Sequence, residues 1–428
     1  MTAPKTQPAS LHLEIHMIRS VNPSNLNRDD TGAPKDAVFG GVRRLRYSSQ
    51  AQKYAYRDDF KNSDLLKPGE IGIRSKLFRG QLVTRLVDAG HDAEQAFIAS
   101  TQALIISGLA EAPKEKKPPK KAKVAKAAVR APVEGVVEEA DGEVDGETPV
   151  MRDLETKALM FLSVAELDTL AGLIGGNLDA LVTLESSSKG PPKELVNLFK
   201  SSLDNNGDGR RAVDVGLFGR MIAQHPEKGV DGAVQVANAI GTHALTGREY
   251  DYYTAIDDLQ RDADSGSSMI GTNEFSSGTL YQYLTVDVRA LHRTLDGDTE
   301  LLGRGLEALL RAALLRLPGG RMSGSASYLT PSLALLTVRR GQGPRNLVNA
   351  FERPVRAANG SGYVEPSIEA LAAELDWQNR CYGPASAAHV LSRTDTKGFG
   401  TAAPDMDTLV RRTLDEVLSG LSSAAAAD

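Results

Sequence analysis

Asn22-Pro-Ser-Asn-Leu-Asn-Arg28-Asp29-Asp30 opens the stretch on which the reading of this chain turns. It continues through Lys35-Asp36-Ala-Val-Phe-Gly40-Gly41-Val-Arg43-Arg44-Leu-Arg46-Tyr47-Ser48-Ser49-Gln50 to Lys53 and Arg57. Lys35, Arg43, Arg44, Arg46 and Lys53 fall within one short span. Gly40-Gly41 sits among them, and glycines let backbone N–H groups approach a ligand closely. Ser48, Ser49 and Gln50 supply neutral donors at a helix-start pattern. Cations, free amides and a helix N-terminus together describe a phosphate-binding surface. The same residues also fit a solvated basic edge ahead of an ordinary helix.

Upstream, Leu11, Leu13, Ile15 and Met17 alternate with His12, Glu14 and His16. Period two predicts a half-buried strand. His12, Glu14 and His16 share a face, but nothing nearby completes a metal-ligand set, so they are read as exposed-face residues.

Downstream, Arg74 to Leu109 has helical periodicity with a break at Gly90. Residues 111–150 then change character, with a lysine- and proline-rich half followed by an acidic half and no large apolar residue except valine. Such a composition buries too little to offset ordering entropy, which predicts a disordered charged insertion. The lysine half could alternatively touch nucleic acid. Helical pattern resumes from Met151 to Leu184 and from Glu194 to Leu203. Asp204 to Gly209 resembles the start of a calcium loop. Its twelfth position is Val215 instead of Glu, so an Asx/Gly turn is favoured. Val213 to Phe218 alternates and predicts a strand. Val234 to Ile240 alternates between glycines and predicts another. Thr246 to Ser277 is polar and too long for a tight hairpin connection. Leu280 to Val288 reads as a strand, Glu300 to Leu317 as a helix, Tyr328 to Val338 as a strand, and Met406 to Leu421 as a last helix. Mixed elements without βαβ spacing predict an α+β fold.

The 428 residues are 41% hydrophobic, enough for two or three compact units. The single cysteine, Cys381, excludes an internal disulfide and a cysteine metal site, as suits a reducing cytoplasm. No apolar run has signal-peptide or membrane-span length, so a cytoplasmic protein with no membrane partner is expected. The net charge of −5 is low for a nucleic-acid binder, but the field near a site matters more than the total. No phosphate-loop, GxSxG or HExxH motif occurs. Asp29-Asp30 and Asp257-Asp258 are adjacent acids that do not face one another, so neither pair forms a two-metal site by itself. No catalytic residue, metal or cofactor is expected.

The run LNRDD…KDAVFGGVRRLRYSSQ…K resembles the opening of the CasC family, the backbone subunit of the type I-E CRISPR surveillance complex Cascade. VDVGLFGRM at Val213 to Met221, VDGAVQVANAIGTH at Val230 to His243 and YYTAIDDL at Tyr252 to Leu259 follow in the same order. GTNEFSSGTLYQY at Gly271 to Tyr283 and NAFERPV at Asn349 to Val355 continue the series. Only the segment 111–150 falls outside the resemblance.

The resemblance implies an RRM-like (ferredoxin-like) palm, an inserted helical domain and a thumb β-hairpin. The palm would comprise residues 1–66, 210–245 and 277–428, with the helical insertion at 67–209 and the thumb at 246–276. It implies non-catalytic subunits that line up head to tail in a helical filament along CRISPR RNA (crRNA), with other Cascade subunits, for antiviral defence. Arg28, Lys35, Ser48, Gln50, Lys53 and Arg57 match family positions that contact RNA phosphates. Arg43, Arg44, Arg46 and Ser49 lie in the same basic run. Tyr252, Tyr253 and Thr254 stand where relatives carry Trp-Phe-Thr, the aromatic pair that displaces one nucleotide per subunit. Met221 and Ile270 match apolar wedge residues. Tyr54 replaces a basic residue, which removes one phosphate contact. Lys193 and Lys200 correspond loosely to lysines facing the target DNA strand. The competing reading is an RNA-guided ribonuclease backbone, as in type III complexes, with Asp29, Asp30 or Asp36 cutting target RNA. A metabolic enzyme has no recognisable site here.

Overall fold

A computed structural model describes residues 10–111, 154–157, 160–186, 190–201, 212–220, 229–254, 270–357, 360, 362–395 and 397–425. The charged segment beyond residue 111, the Asp204–Gly209 turn and Met221 lie outside the described residues.

In chain order the elements begin β1 (Leu11–Ser24), β2 (Asp36–Phe39), β3 (Val42–Tyr47), α1 (Ser49–Lys61), β4 (Gly72–Ser75), α2 (Phe78–Asp88) and α3 (Ala93–Ile106). Next come β5 (Met160–Ser163), α4 (Val164–Gly176), α5 (Leu178–Ser186), α6 (Lys193–Ser201), α7 (Val213–Phe218), β6 (Val234–Val236) and β7 (Ala239–Gly241). The chain continues with β8 (Glu249–Thr254), β9 (Ile270–Asp287), α8 (Val288–Thr294), α9 (Thr299–Leu315), α10 (Met322–Ser325) and β10 (Leu333–Arg340). It closes with α11 (Val364–Tyr382), β11 (Ala387–Ser392), β12 (Thr401–Ala402) and α12 (Met406–Ala425). The fold is α+β.

The chain forms two compact units. The first comprises Met1–Ile73, Phe161–Glu166 and Asn205–Asp428. Its sheet runs β12-β11-β10-β1-β9-β7-β3-β2, and β6 and β8 also pair with β9. Every pairing in this sheet is antiparallel except β11 with β12. Strand β1 is central. It pairs with β10 from Leu11↔Arg340 to Ile18↔Leu333 and with β9 from His12↔Asp287 to Val21↔Gly278.

Helices cover one sheet face. Leu11, Leu13, Ile15 and Met17 pack into a core with Tyr56 and Phe60 of α1 and with residues of α7, α8, α9 and α12. Helix α9 is started by the Asp298 carboxylate, which accepts the Leu301 N–H. Its six buried leucines, each worth roughly 1.5–3 kcal/mol, make it the main apolar cover of this face. The buried Arg19 guanidinium donates to the carbonyls of Ala313, Leu314 and Arg316 and satisfies the end of that helix. On the other face Ile18, Tyr281, Tyr283 and Leu335 pack with Leu347, Phe351 and Ile368, Leu371 and Leu375 of α11.

Coverage on both faces corrects the expectation for the polar residues of β1. Glu14 and His16 are fully buried, not exposed. The Glu14 carboxylate accepts from the Tyr283 and Thr337 hydroxyls, each at 2.9 Å, and from the Arg339 guanidinium. His16 Nδ1 bonds the Tyr281 hydroxyl at 2.9 Å, and burial pushes its pKa down to about 4, so the ring is neutral near pH 7. Glu14 and His16 each make at least one hydrogen bond within the chain, which offsets part of the cost of their burial.

A second correction concerns Val213–Phe218, which is helix α7 instead of a strand. Val213, Asp214, Val215, Gly216 and Leu217 are all buried, so alternation carries no facial information there. Gly216 faces Leu291, and a Cβ would lie 3.0 Å from that side chain. Val234 to Ile240 is extended, as two short strands that both pair with β9. Residues 249–254 and 270–275 do pair, from Glu249↔Phe275 to Thr254↔Ile270, although the polar composition there suggested a long loop. Helices α8, α10 and α11 and strands β2, β3, β11 and β12 had no sequence prediction, and the run from Met151 to Leu184, expected to be helical, contains strand β5 before α4.

The second unit comprises Arg74–Met160 and Leu167–Asp204. Helix α3 packs against α2, α5 and α6 around Leu82, Leu86, Leu104 and Phe199. The break before α3 is Gly90, at φ +93, followed by an Asp92 cap that accepts the Glu94 and Gln95 N–H groups. Among the described residues no single helix is long and apolar enough to cross a membrane.

Candidate nucleic-acid interface

The stretch Asn22–Arg57 carries seven Lys and Arg residues against three Asp, a local net charge of +4 in a chain of net −5. It is built from the end of β1, an ordered loop, the β2–β3 hairpin and α1. The loop is shaped by Asp29. Its Oδ1 accepts the Thr31 hydroxyl at 2.7 Å and the Thr31 and Ala33 N–H groups at 3.0 Å each. These bonds, the Thr31 hydroxyl first, hold its carboxyl below the usual carboxylate range. Lys35 N–H donates to Asn27 O, and Asn27 Oδ1 accepts the Ser48 N–H at 2.8 Å, which ties the loop to the start of α1.

Helix α1 begins where the sequence indicated. Ser48 is the N-cap, and its hydroxyl accepts the Ala51 N–H. The Ser49 N–H donates to Asn238 Oδ1 at 3.1 Å. Buried Gln52 donates to Ala237 O at 3.0 Å and accepts from Gln282 at 3.1 Å, which anchors the helix to the sheet. Ser49, Gln50, Lys53 and Arg57 then form one stripe at helical spacing, beside the buried stripe Gln52, Tyr56 and Phe60. Lys53 is half-buried and has no ion pair among the described residues. Burial lowers its ammonium pKa, and with no acid paired to it among the described residues the charge suits an anionic ligand. The Arg57 guanidinium lies 5.1 Å from the centroid of the Phe161 ring.

The arginines of β3 take different places. Arg43 is exposed and pairs with Asp36 at 2.7 Å. Arg46 is half-buried and reaches Asp36 O and Asn238 Oδ1. Arg44 is fully buried. It donates to the carbonyls of Gly241, Phe351 and Glu352, so its charge serves the interior. Arg28 is exposed and Lys35 half-buried, both on the loop side. The glycine pair also differs from expectation. Gly40 and Gly41 have φ +59 and +78, the positive pair that a two-residue type I′ turn needs. The group that approaches Gly40 closely is the protein's own Glu352 carbonyl, not a ligand.

Beside this surface rises the β8–β9 ladder. Tyr250 and Tyr252 are both strongly exposed, two residues apart on one strand face. Tyr253 and Thr254 pair with Gly271 and Ile270 in the ladder. At its foot is Arg248, which the sequence reading missed. Its guanidinium lies 3.5 Å from Asp36, 3.2 Å from Glu274 and 3.9 Å from Asp29. One arginine in a polar run carries no sequence signal of this role. Asn238 was missed for the same reason.

Residues 13–419 match a family described as CT1975-like protein. The chain belongs to the CT1975-like family. Solved structures place the likeness further. A chain of a "CRISPR RNA-guided surveillance complex, pre-nicking" is 26% identical, with a TM-score of 0.73 over 95% of this chain and 100% of that one. A chain of a "CRISPR RNA-guided surveillance complex" shares the fold at 24% identity, with a TM-score of 0.65 over 95% of this chain and 99% of that one. No curated protein matches. In this CT1975-like chain, Lys193 and Lys200 are exposed at the two ends of α6 in the second unit, apart in sequence from the basic stretch.

Proposed function

We propose that this chain is the crRNA-binding backbone subunit of a CRISPR surveillance complex, of the type I-E kind, and that it does no chemistry itself. The observation that carries the reading is the end-to-end likeness to a chain of a CRISPR RNA-guided surveillance complex, covering 95% of one chain and 100% of the other. The basic stretch supports it. Lys53 supplies a half-desolvated cation with no acidic partner among the described residues, in the same stretch as Arg28, Lys35, Ser49, Gln50 and Arg57, and exposed Tyr252 offers a stacking face. Phosphate contacts of this sort are independent of sequence, as a carrier of variable guides requires.

In this reading the helix-covered sheet is an RRM-like palm, the β8–β9 ladder a thumb, and the second unit the inserted helical domain. Copies stack head to tail along the guide, an arrangement that does not close on itself. Other subunits cap it, α6 faces the target DNA strand, and the assembly serves antiviral defence in the cytoplasm. The ribonuclease alternative draws no support from Asp36, which is engaged by Arg43 and Arg248, or from Asp29, whose oxygens hold its own loop. The test is purification from the host. Short RNA of uniform length should co-purify, and a nucleic-acid-free protein that ignores added crRNA would sink the reading. Mg²⁺-dependent cutting of complementary RNA, lost on Asp36→Ala, would replace it with the nuclease.

A further inference from the structure

Three carboxylates stand in the middle of the basic surface. Asp29 and Asp36 flank Lys35, and Glu274 projects from β9 at the base of the exposed tyrosines. All three converge on one guanidinium, that of Arg248, at 3.9, 3.5 and 3.2 Å. Asp36 is also held by Arg43 at 2.7 Å. The site is half-buried on every side: the side chains of Arg248, Asp29, Asp36 and Glu274 are 29%, 28%, 16% and 31% exposed. Charges there are screened less than on an open surface. Left alone, these carboxylates would repel a phosphate chain drawn to Arg28, Lys35 and Lys53.

Arginine suits the place. Its planar fork presents five donors and stays charged, so one side chain can serve acceptors from three separate segments. Those segments are the Asp29 loop, strand β2 and strand β9, so the same contacts tie the tyrosine-bearing ladder to the loop that carries Arg28 and Lys35. We infer that Arg248 is a positioning residue for polyanion binding, which offsets part of the negative charge of Asp29, Asp36 and Glu274 and thereby strengthens the attraction of the Asn22–Arg57 surface for an RNA backbone. The inference rests on the proposed RNA-binding reading and assigns this residue a part in it without contact to the RNA. It also separates the cations by role. Arg248 and Arg43 are spent on acids, whereas Lys53 has no acid among the described residues.

The test is equilibrium binding of labelled single-stranded RNA to the full chain between about 50 mM and about 500 mM salt. Arg248→Ala should weaken binding about tenfold at the low-salt end, and the loss should shrink toward nothing at the high-salt end, as electrostatic repulsion does. Adding Asp36→Asn and Glu274→Gln to Arg248→Ala should restore affinity. The same two acid changes with Arg248 intact should strengthen binding and steepen its salt dependence, an arm that does not depend on how well Arg248→Ala folds. A loss equal at every salt concentration and not rescued by the acid changes would mean a purely structural role and would overturn the inference. So would unaltered binding by Arg248→Ala. If the unsubstituted chain fails to bind RNA, the functional reading itself falls, and the wild-type arm reports that separately.

Discussion

A Cβ placed on Gly40 would lie 1.6 Å from the backbone oxygen of Glu352. The β2–β3 turn therefore docks onto the loop after Leu347, and the residue at its tip has no room for a side chain. At φ +59 the backbone also disfavours an L-residue. Gly40→Ala should combine left-handed strain with overpacking and cost about 3 kcal/mol. Denaturant unfolding followed by circular dichroism measures it. Gly41→Ala is the control. Its Cβ would meet nothing within 4 Å, so only the conformational strain should remain, near 1 kcal/mol.

Arg44 holds the same two segments together from inside. Its guanidinium donates to Gly241, Phe351 and Glu352 carbonyls, which lose their partner in Arg44→Met. Unsatisfied buried carbonyls cost about 1–3 kcal/mol each. Arg44→Met should lower the melting temperature clearly, while the salt slope of RNA binding by the folded fraction stays as in the wild type. A shallower slope would show that Arg44 neutralises a phosphate.

Lys53 and Tyr252 should separate charge from stacking. Lys53→Ala should make the slope of log K against log salt shallower by about 0.7, equally for any single-stranded RNA. Tyr252→Ala should leave the slope in place and weaken binding by about 1–3 kcal/mol, the usual worth of one stacked base. Tyr252 is 76% exposed, so its removal should leave thermal stability nearly unaltered. Titrations of both variants at several salt concentrations, beside melting curves, distinguish these outcomes.

Asp214 should give stability an opposing pH term. Burial pushes its carboxyl up to about 6 from 3.8, against the pull of the Gly72 N–H, Arg57 and the Val215 N–H. Because the folded pKa is raised, the native state binds the proton more tightly between these values. Its contribution is present below about pH 4 and is lost as pH rises through about 6. Asp214→Asn removes that loss. The stability difference between variant and wild type should shift by about 2 kcal/mol in favour of the variant from pH 4 to pH 7. A difference that stays flat across this window would count against a buried, titrating Asp214.

Local chemistry was legible wherever a signal lay within a few residues. Ser48 marks the start of α1, Gly90 the break before α3, and alternation from Leu11 marks β1. The density of cations from Arg28 to Arg57, and the ordered blocks resembling CRISPR backbone subunits, were likewise on the chain itself. Periodicity failed where burial is two-sided. Glu14 and His16 look like a solvent face, because a strand's own pattern cannot report a second covering layer. Val213–Phe218 looks like a strand, because a run buried all round has no facial period.

The sequence by itself therefore determined the α+β composition, the position of the basic stretch and the family. Which cation does what was decided only by tertiary structure. Arg43, Arg44 and Arg46 differ little as letters, yet one pairs with Asp36, one is buried against three carbonyls, and one bridges Asp36 and Asn238. Arg248 joins acids 26, 212 and 219 residues away. A charge's effect depends on its distance to other charges and on its access to water, and both are set by long-range packing, not by neighbours along the chain.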